Sequence, residues 1–467
     1  MAFLGIPRKS DWKGFGLNGE SRYGMERRFD VATGFALRSP GGGNSLMSPS
    51  HAMNRARGAM LGMAVGDALG APLEGLGSQQ IKNSYGLVDD YVDGSRAWRR
   101  KSDRWRLPGL YTDDTQQALC VAETLIECGE MQPSHLAEIW RKMYRTHVDC
   151  TSGKFPNGVH RNIGRNFRKT LEKLIAGQPQ GEITQASAGL GAAVRVIPLA
   201  IAYHQDSDQL YRAVVECSLI SHNDIRSVAA ALAVAFATAR LLNGEEKAPS
   251  LILRVAGDVA RCERRLATEY GDRIVGLSCH PNAISRCIGQ VERAVELSQE
   301  DAFAMILDEA RHHGPSAPFK LPTKGFAPAA LATCFYMLIQ SESYQDGVIE
   351  LINLGGDADS AGAILGAMSG AYFGYQGIPK FWLTPLHNAD GIDTRAVALT
   401  LPPEKVDRSK IPDLIEIEKH LCVLESRHRQ FLSLSQTNGH KGGTVVDSSI
   451  QRQHDIVEGP PKPEPNA

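Results

Sequence analysis

From about residue 53 to 395, apolar residues recur at three- and four-residue spacing, the period of helices with one buried face. Leu210, Val214 and Cys217 mark one such face, and Ile225, Val228, Ala229, Leu232, Phe236 and Ala239 mark another. Further helices are expected at about 165–176, 187–203, 249–269, 283–297, 300–312, 327–341 and 346–353. No series of alternating strand segments interrupts them, so the pattern predicts an all-α domain over 53–395. After Leu401-Pro402-Pro403 a charged helix is expected at about 411–434, within a helical extension over 396–435. Residues 436–467 are rich in Ser, Gln, Lys and Pro and read as a disordered tail.

Two segments break the usual helical composition. Gly58, Gly62, Gly66 and Gly70 recur every fourth residue, and so do Gly362, Gly366, Gly370 and Gly374. Each set lies on one helical face. Glycine inside a helix costs about 1 kcal/mol relative to alanine. Two helices that both bear this cost are expected to pack backbone against backbone, with each other as candidate partners. Residues 1–52 lack helical periodicity and end in the linker-like Ser39-Pro40-Gly41-Gly42-Gly43-Asn44-Ser45. They read as a flexible extension. Trp12, Phe15, Tyr23, Phe29 and Phe35 between basic residues also suit a partner-binding arm.

A formal charge of −1 gives no reason to expect a nucleic-acid partner. The nine Cys are scattered, with no Cys-x-x-Cys, which fits free thiols in a reducing compartment. No apolar run reads as a membrane span and no signal peptide is evident, so the expectation is a cytoplasmic protein with no membrane partner. The basic cluster Arg96, Arg99, Arg100 and Lys101 falls in an irregular stretch, 76–111, expected to be a solvated insertion.

The chemistry concentrates where the patterning predicts helix starts. Thr112-Asp113-Asp114 opens one helix, and Gly355-Gly356-Asp357-Ala358-Asp359-Ser360 opens the second glycine-striped one. Thr and Asp are ordinary N-caps, and Asp114 with Gln117 has capping-box spacing. A cap uses one side chain, however, and these segments carry more oxygens than a cap needs. Four Asp with flanking hydroxyls form a donor set suited to hard divalent cations, and grouped without cations they would repel strongly. Ser221-His222-Asn223-Asp224 opens another helix, with Asn223 or Asp224 the natural cap. Asn157-Gly158 forms a turn before the basic residues His160, Arg161, Arg165 and Arg168. Glu74 follows the first glycine-striped helix at Pro72, where a solvated loop glutamate is the simplest reading.

In order and spacing this set resembles the ADP-ribosylglycohydrolase family, which includes dinitrogenase-reductase-activating glycohydrolase and the ADP-ribosyl-arginine hydrolases. The resemblance is carried by Gly58 to Glu74, Tyr111 to Thr115, Ser221 to Asp224 and Leu354 to Ile364. It implies a compact multi-helix domain with a dinuclear site, in which Thr112, Asp113, Asp114, Asp357, Asp359 and Ser360 hold two Mg²⁺ or Mn²⁺ ions. Glu74, Asp113 and Asp359 are implied in catalysis, and Asn157, Gly158, His222 and Asp224 in contacts to ADP-ribose. One departure stands out: Leu190 takes the place where the family loop usually carries Asn.

The reaction so implied removes ADP-ribose from a modified protein side chain, with arginine the expected linkage. Serine-linked, poly- and O-acetyl-ADP-ribose are alternative substrates. Another reading is an immunity protein whose residues 1–52 bind an ADP-ribosyltransferase toxin, alone or alongside hydrolysis. A catalytically dead member is disfavoured by the four Asp.

Overall fold

The structure, a computed structural model, describes residues 49–150, 153–179, 181–314 and 320–439. The partner-binding arm and the C-terminal tail expected from the sequence lie almost wholly outside these residues. Six helices carry the argument: α1 (Pro49–Gly70), α2 (Asp113–Cys128), α3 (Ile225–Leu242), α4 (Ala327–Gln340), α5 (Ala358–Phe373) and α6 (Leu414–Gly439). Among the described residues there is no β-strand, only isolated bridges such as Gly77 with Gly355 and Gln185 with His222. The fold is all-α, as the patterning predicts.

The two glycine stripes face each other. A Cβ at Gly58, Gly62, Gly66 or Gly70 would overlap the carbonyl oxygen of Gly370, Gly366, Gly362 or Ala358 respectively. The descending partner numbers show that α1 and α5 run antiparallel, in close contact from Gly58 to Gly70 of α1. No side chain fits between them, which explains why both accept the intrinsic cost of glycine. The antiparallel fit brings the C-terminal end of α1, with its exit loop and Glu74, beside the N-terminal end of α5, where Asp357 and Asp359 sit.

Around this pair α3 and α4 form the apolar core with α5. Helix α3 is long and apolar enough to cross a membrane by length, yet 89% of it is buried in the protein. Its apolar faces therefore meet neighbouring helices. The nine Cys are all free thiols.

Three expectations are corrected. The helix expected over 187–203 is two short ones, Gly191–Val194 and Ile197–Tyr203, because Pro198 starts the second. The preceding residues, 187–190, form a loop instead. Helix α2 begins at Asp113, with Thr112 rather than Asp114 as its N-cap. Residues 76–111 are not a solvated insertion: Trp105 and Arg106 are buried, and the Trp98 indole donates to Pro72 O at 3.0 Å.

Candidate active site and metal centre

Two loops position the acidic entrance of α5. Gly355 and Gly356 both hold positive φ, 74° and 78°, which L side chains adopt at a cost. This turn lets Gly356 N–H donate to Leu76 O at 2.8 Å and Gly356 O accept from Gly75 N–H at 2.6 Å. The loop that carries Glu74 is thereby stapled to the loop that carries Asp357. A third strap comes from Thr323, whose carbonyl accepts from Asp357 N–H at 2.7 Å and whose hydroxyl donates to Gly355 O at 2.6 Å.

The start of α2 is fixed by Asp67, a fully buried residue of α1. Its carboxylate accepts from Thr112 N–H at 3.1 Å, Thr115 N–H at 3.0 Å and the Thr115 hydroxyl at 2.6 Å. Thr112 in turn accepts from Asp114 N–H at 3.3 Å. The amides of Asp114 and Thr115 in the first turn are thus satisfied by Thr112 and Asp67. Asp113 and Asp114 are left over, and both face a cavity of about 190 Å³.

The two acidic segments, 246 residues apart in sequence, meet in this cavity. Ser360 Oγ donates to Asp114 Oδ2 at 2.7 Å, and Asp357, Asp359 and Glu74 line the same space. Glu74 is not a free loop residue. Arg104 and Arg106 hold it at 2.8 and 3.8 Å. Thr112 lies behind the wall as the helix cap and does not itself line the cavity.

The electrostatics are one-sided. Burial first, and then neighbouring negative charge, raises the pKa of Asp113, Asp114 and Asp359 well above the ordinary carboxylate range. For Asp113 the next causes are Asp67 and Glu74; for Asp359 they are Glu74 and Asp357. Asp357 is pushed up to about 6, again by burial and then by Glu74. The acidic wall offers carboxylate and hydroxyl oxygens from Asp113, Asp114, Asp357, Asp359 and Ser360, the donor chemistry of a Mg²⁺ or Mn²⁺ site. Gly325 leaves room for it, since a Cβ there would stand 2.7 Å from Asp357 Oδ2. The residues present fit the group, although among the described residues no three His, Cys, Asp or Glu side chains are already drawn into a closed cation cage.

The opposite wall is held by a relay that the sequence reading did not identify. Arg195, fully buried, donates to Gln117 Oε1 at 2.6 Å, and Gln117 Nε2 donates to Asp113 Oδ2 at 2.9 Å. Arg195 also donates to the Ser221 hydroxyl, which lies 2.8 Å from His222 Nδ1. With Nδ1 engaged by Ser221, Nε2 is the ring nitrogen left for a ligand. The ring stands over Gly191, where a Cβ would come within 3.3 Å of Nε2. Burial, then Arg195, lowers the His222 pKa to about 3. The ring is therefore neutral, and it lines the cavity.

Asn157, Gly158 and Asp224 are not brought to this cavity. Gly158 turns at φ 63° against the carbonyls of Met143 and Tyr144, and this stretch of chain reaches the cavity further on, at Asn162, Gly164, Arg165, Asn166 and Phe167. Asn157 and Gly158 line a neighbouring cavity of about 620 Å³ under α6. Asp224 is spent on capping α3: it accepts from Arg226 N–H at 2.9 Å and pairs with the Arg226 guanidinium at 2.6 Å. Leu190 does line the cavity, as an apolar residue 2% exposed.

The sequence profile of the ADP-ribosylglycohydrolase family matches residues 48–408. The chain belongs to that family. It is 26% identical, over 76% of its own length and 81% of the relative's, to "ADP-ribosylarginine hydrolase Tri1" of Serratia proteamaculans. To "ADP-ribosyl-[dinitrogen reductase] glycohydrolase" of Rhodospirillum rubrum it is 25% identical, over 71% and 90% of the two chains. A solved structure titled "ADP-ribosylglycohydrolase-related protein complex" superposes with TM-score 0.53 at 27% identity, over 76% of this chain and 99% of that one. Helix α6 lies beyond the family-matched segment.

Proposed function

We propose that the chain is a Mg²⁺- or Mn²⁺-dependent hydrolase that cleaves the bond between the distal ribose of ADP-ribose and a protein arginine. The observation that carries this reading is the convergence of Asp113, Asp114, Asp357, Asp359 and Ser360 from two helix entrances on one cavity. Relatives named as ADP-ribosylarginine and dinitrogen-reductase glycohydrolases support the choice of a modified protein as substrate.

A cavity of about 190 Å³ has room for a ribose, so the rest of ADP-ribose would extend from it. When bound, the ions would order the ribose hydroxyls and lower the pKa of a water molecule. The remaining work falls to the chain. Asp113, oriented by Gln117 and Arg195, and Asp359 are placed to take a proton from an attacking water. Glu74, held by Arg104 and Arg106, stands where it can exchange a proton with the leaving guanidine. Positive charge developing on the ribose would face a wall of carboxylates, which favours the transition state over the neutral sugar. The neutral His222 ring offers Nε2 as a fixed hydrogen-bonding nitrogen to the ligand.

The test is incubation of an arginine-ADP-ribosylated protein with the full chain, with and without EDTA, following free ADP-ribose. Release that EDTA stops and Mn²⁺ restores supports the reading. Release unaffected by EDTA defeats the metal assignment, and release only from a serine-linked substrate defeats the linkage.

A further inference from the structure

Helix α6 would be a mere appendage if it only covered the domain's surface, but one of its side chains reaches the back of the site. Glu418 is fully buried. Its Oε1 accepts from the Tyr111 hydroxyl at 2.8 Å; its Oε2 accepts from Gln116 Nε2 at 2.6 Å and from the Arg161 guanidinium. Those three partners sit behind the cavity, next to segments that line it from different sides. Tyr111 and Gln116 bracket Thr112–Asp114 at the start of α2, whereas Arg161 precedes Asn162, which lines the cavity from the opposite loop. The walls are further tied to each other, since Gln116 Nε2 also donates to Val159 O at 3.0 Å and Gln116 Oε1 accepts from Arg161 N–H at 3.0 Å.

We propose that Glu418 is a positioning residue for the site: its one carboxylate fixes the acidic entrance of α2 relative to the Asn162–Asn166 loop, and α6 is therefore part of the active-site support. The charge matters as well as the shape, because every group that faces Glu418 is a donor and only a carboxylate accepts from all of them. The helix is also anchored away from Glu418: Arg395 donates to Pro412 O, just before the helix, at 2.7 Å, and Arg429 Nε, about three turns beyond Glu418, donates to Trp105 O at 2.9 Å. Loss of Glu418 would therefore free the site without releasing the helix.

The proposal rests on the metal-dependent reading above for its activity arm, so the experiment has a second arm that does not. In the full-length chain, Glu418→Gln is compared with the double variant Glu418→Met/Arg161→Met, which removes the buried pair without leaving a lone charge. Ile306→Ala, a core truncation in another helix, controls for lost stability. Mn²⁺ affinity and kcat are measured, together with amide exchange at residues 112–115 and 162–166. Both Glu418 variants are expected to lose about tenfold in Mn²⁺ affinity and kcat, as is usual for groups that orient metal ligands. Exchange should rise at both segments together. Ile306→Ala should lower the melting temperature and leave these readouts unchanged. Native Mn²⁺ affinity and native exchange in the Glu418 variants would overturn the proposal, as would an equal loss in Ile306→Ala. If the native chain binds no Mn²⁺ and releases no ADP-ribose, the metal reading alone fails. The exchange data then decide the positioning role: a coupled rise supports it, and unchanged protection overturns it.

Discussion

Helices α2 and α3 both begin beside an aspartate, and only at α2 do the carboxylates face the cavity instead of capping the helix. At α3, Asp224 is itself the cap and is also paired with Arg226, so its oxygens are occupied. At α2, Thr112 caps the helix and Asp67 takes the amides of Thr112 and Thr115, leaving Asp113 and Asp114 to the cavity. A carboxylate at a helix start becomes available for chemistry when other residues satisfy the helix. The rule also covers α5, where Asp357 makes no side-chain cap and the surrounding loops hold the backbone instead.

The sharpest way to break this contrast is to remove the spared carboxylates. Asp114→Ala and Asp359→Asn should each lower ADP-ribose release by more than about 100-fold, exceeding what loss of an orienting group usually costs. Their melting temperatures in EDTA should equal or exceed that of the native chain, because each change relieves repulsion among buried carboxylates. Measuring release and thermal unfolding on the same samples separates the two effects. An active Asp359→Asn chain would end the metal assignment.

Next in size is Gln117→Ala, which cuts the link from Arg195 to Asp113 while leaving every acidic group in place. About a tenfold fall in kcat is expected. A rise in KM with unchanged kcat would mean instead that Gln117 contacts the ligand.

Asp224→Ala should behave in the opposite manner to Asp114→Ala. Loss of its cap should destabilise the chain by about 1 kcal/mol, while release of ADP-ribose at 25 °C stays within about threefold. Thermal unfolding and a release assay decide it. A collapse of activity at unchanged stability would erase the distinction between the two entrances and return Asp224 to the ligand-binding set.

Much of this organisation was legible in the primary structure. The glycine stripes were readable because four glycines at helical spacing have no local benefit and so demand a partner backbone. The paired acidic segments were readable because they carry more oxygens than capping requires. Asp67 escaped notice since a single acid in an apolar helix gives no sign of what it faces. Gln117 and Arg195 were hidden for a similar reason: their relay spans 78 residues and depends on tertiary placement. Asn157-Gly158 and Asn162-Ile163-Gly164 are two similar turns five residues apart, and only the packing of Gly158 against Met143 and Tyr144 shows which one reaches the cavity.

The smallest expected effect on turnover concerns His222. A ligand-facing histidine at its ordinary pKa near 6.5 would impose an inflection on activity in the neutral range. Here burial, followed by Arg195, lowers the value to about 3, so the ring stays neutral and no histidine inflection should appear in kcat/KM between about pH 5.5 and 8. The cost appears in stability instead. The unfolded chain binds this proton below about pH 6.5 and the folded chain only near 3, so this contribution is intact above 6.5 and falls as pH drops through that window. His222→Gln should therefore flatten the acid limb of the unfolding free energy while its kcat/KM profile keeps the native shape. An inflection near pH 6.5 that disappears in His222→Gln would show the ring titrating in the open site, and burial beside Arg195 would then not hold it neutral.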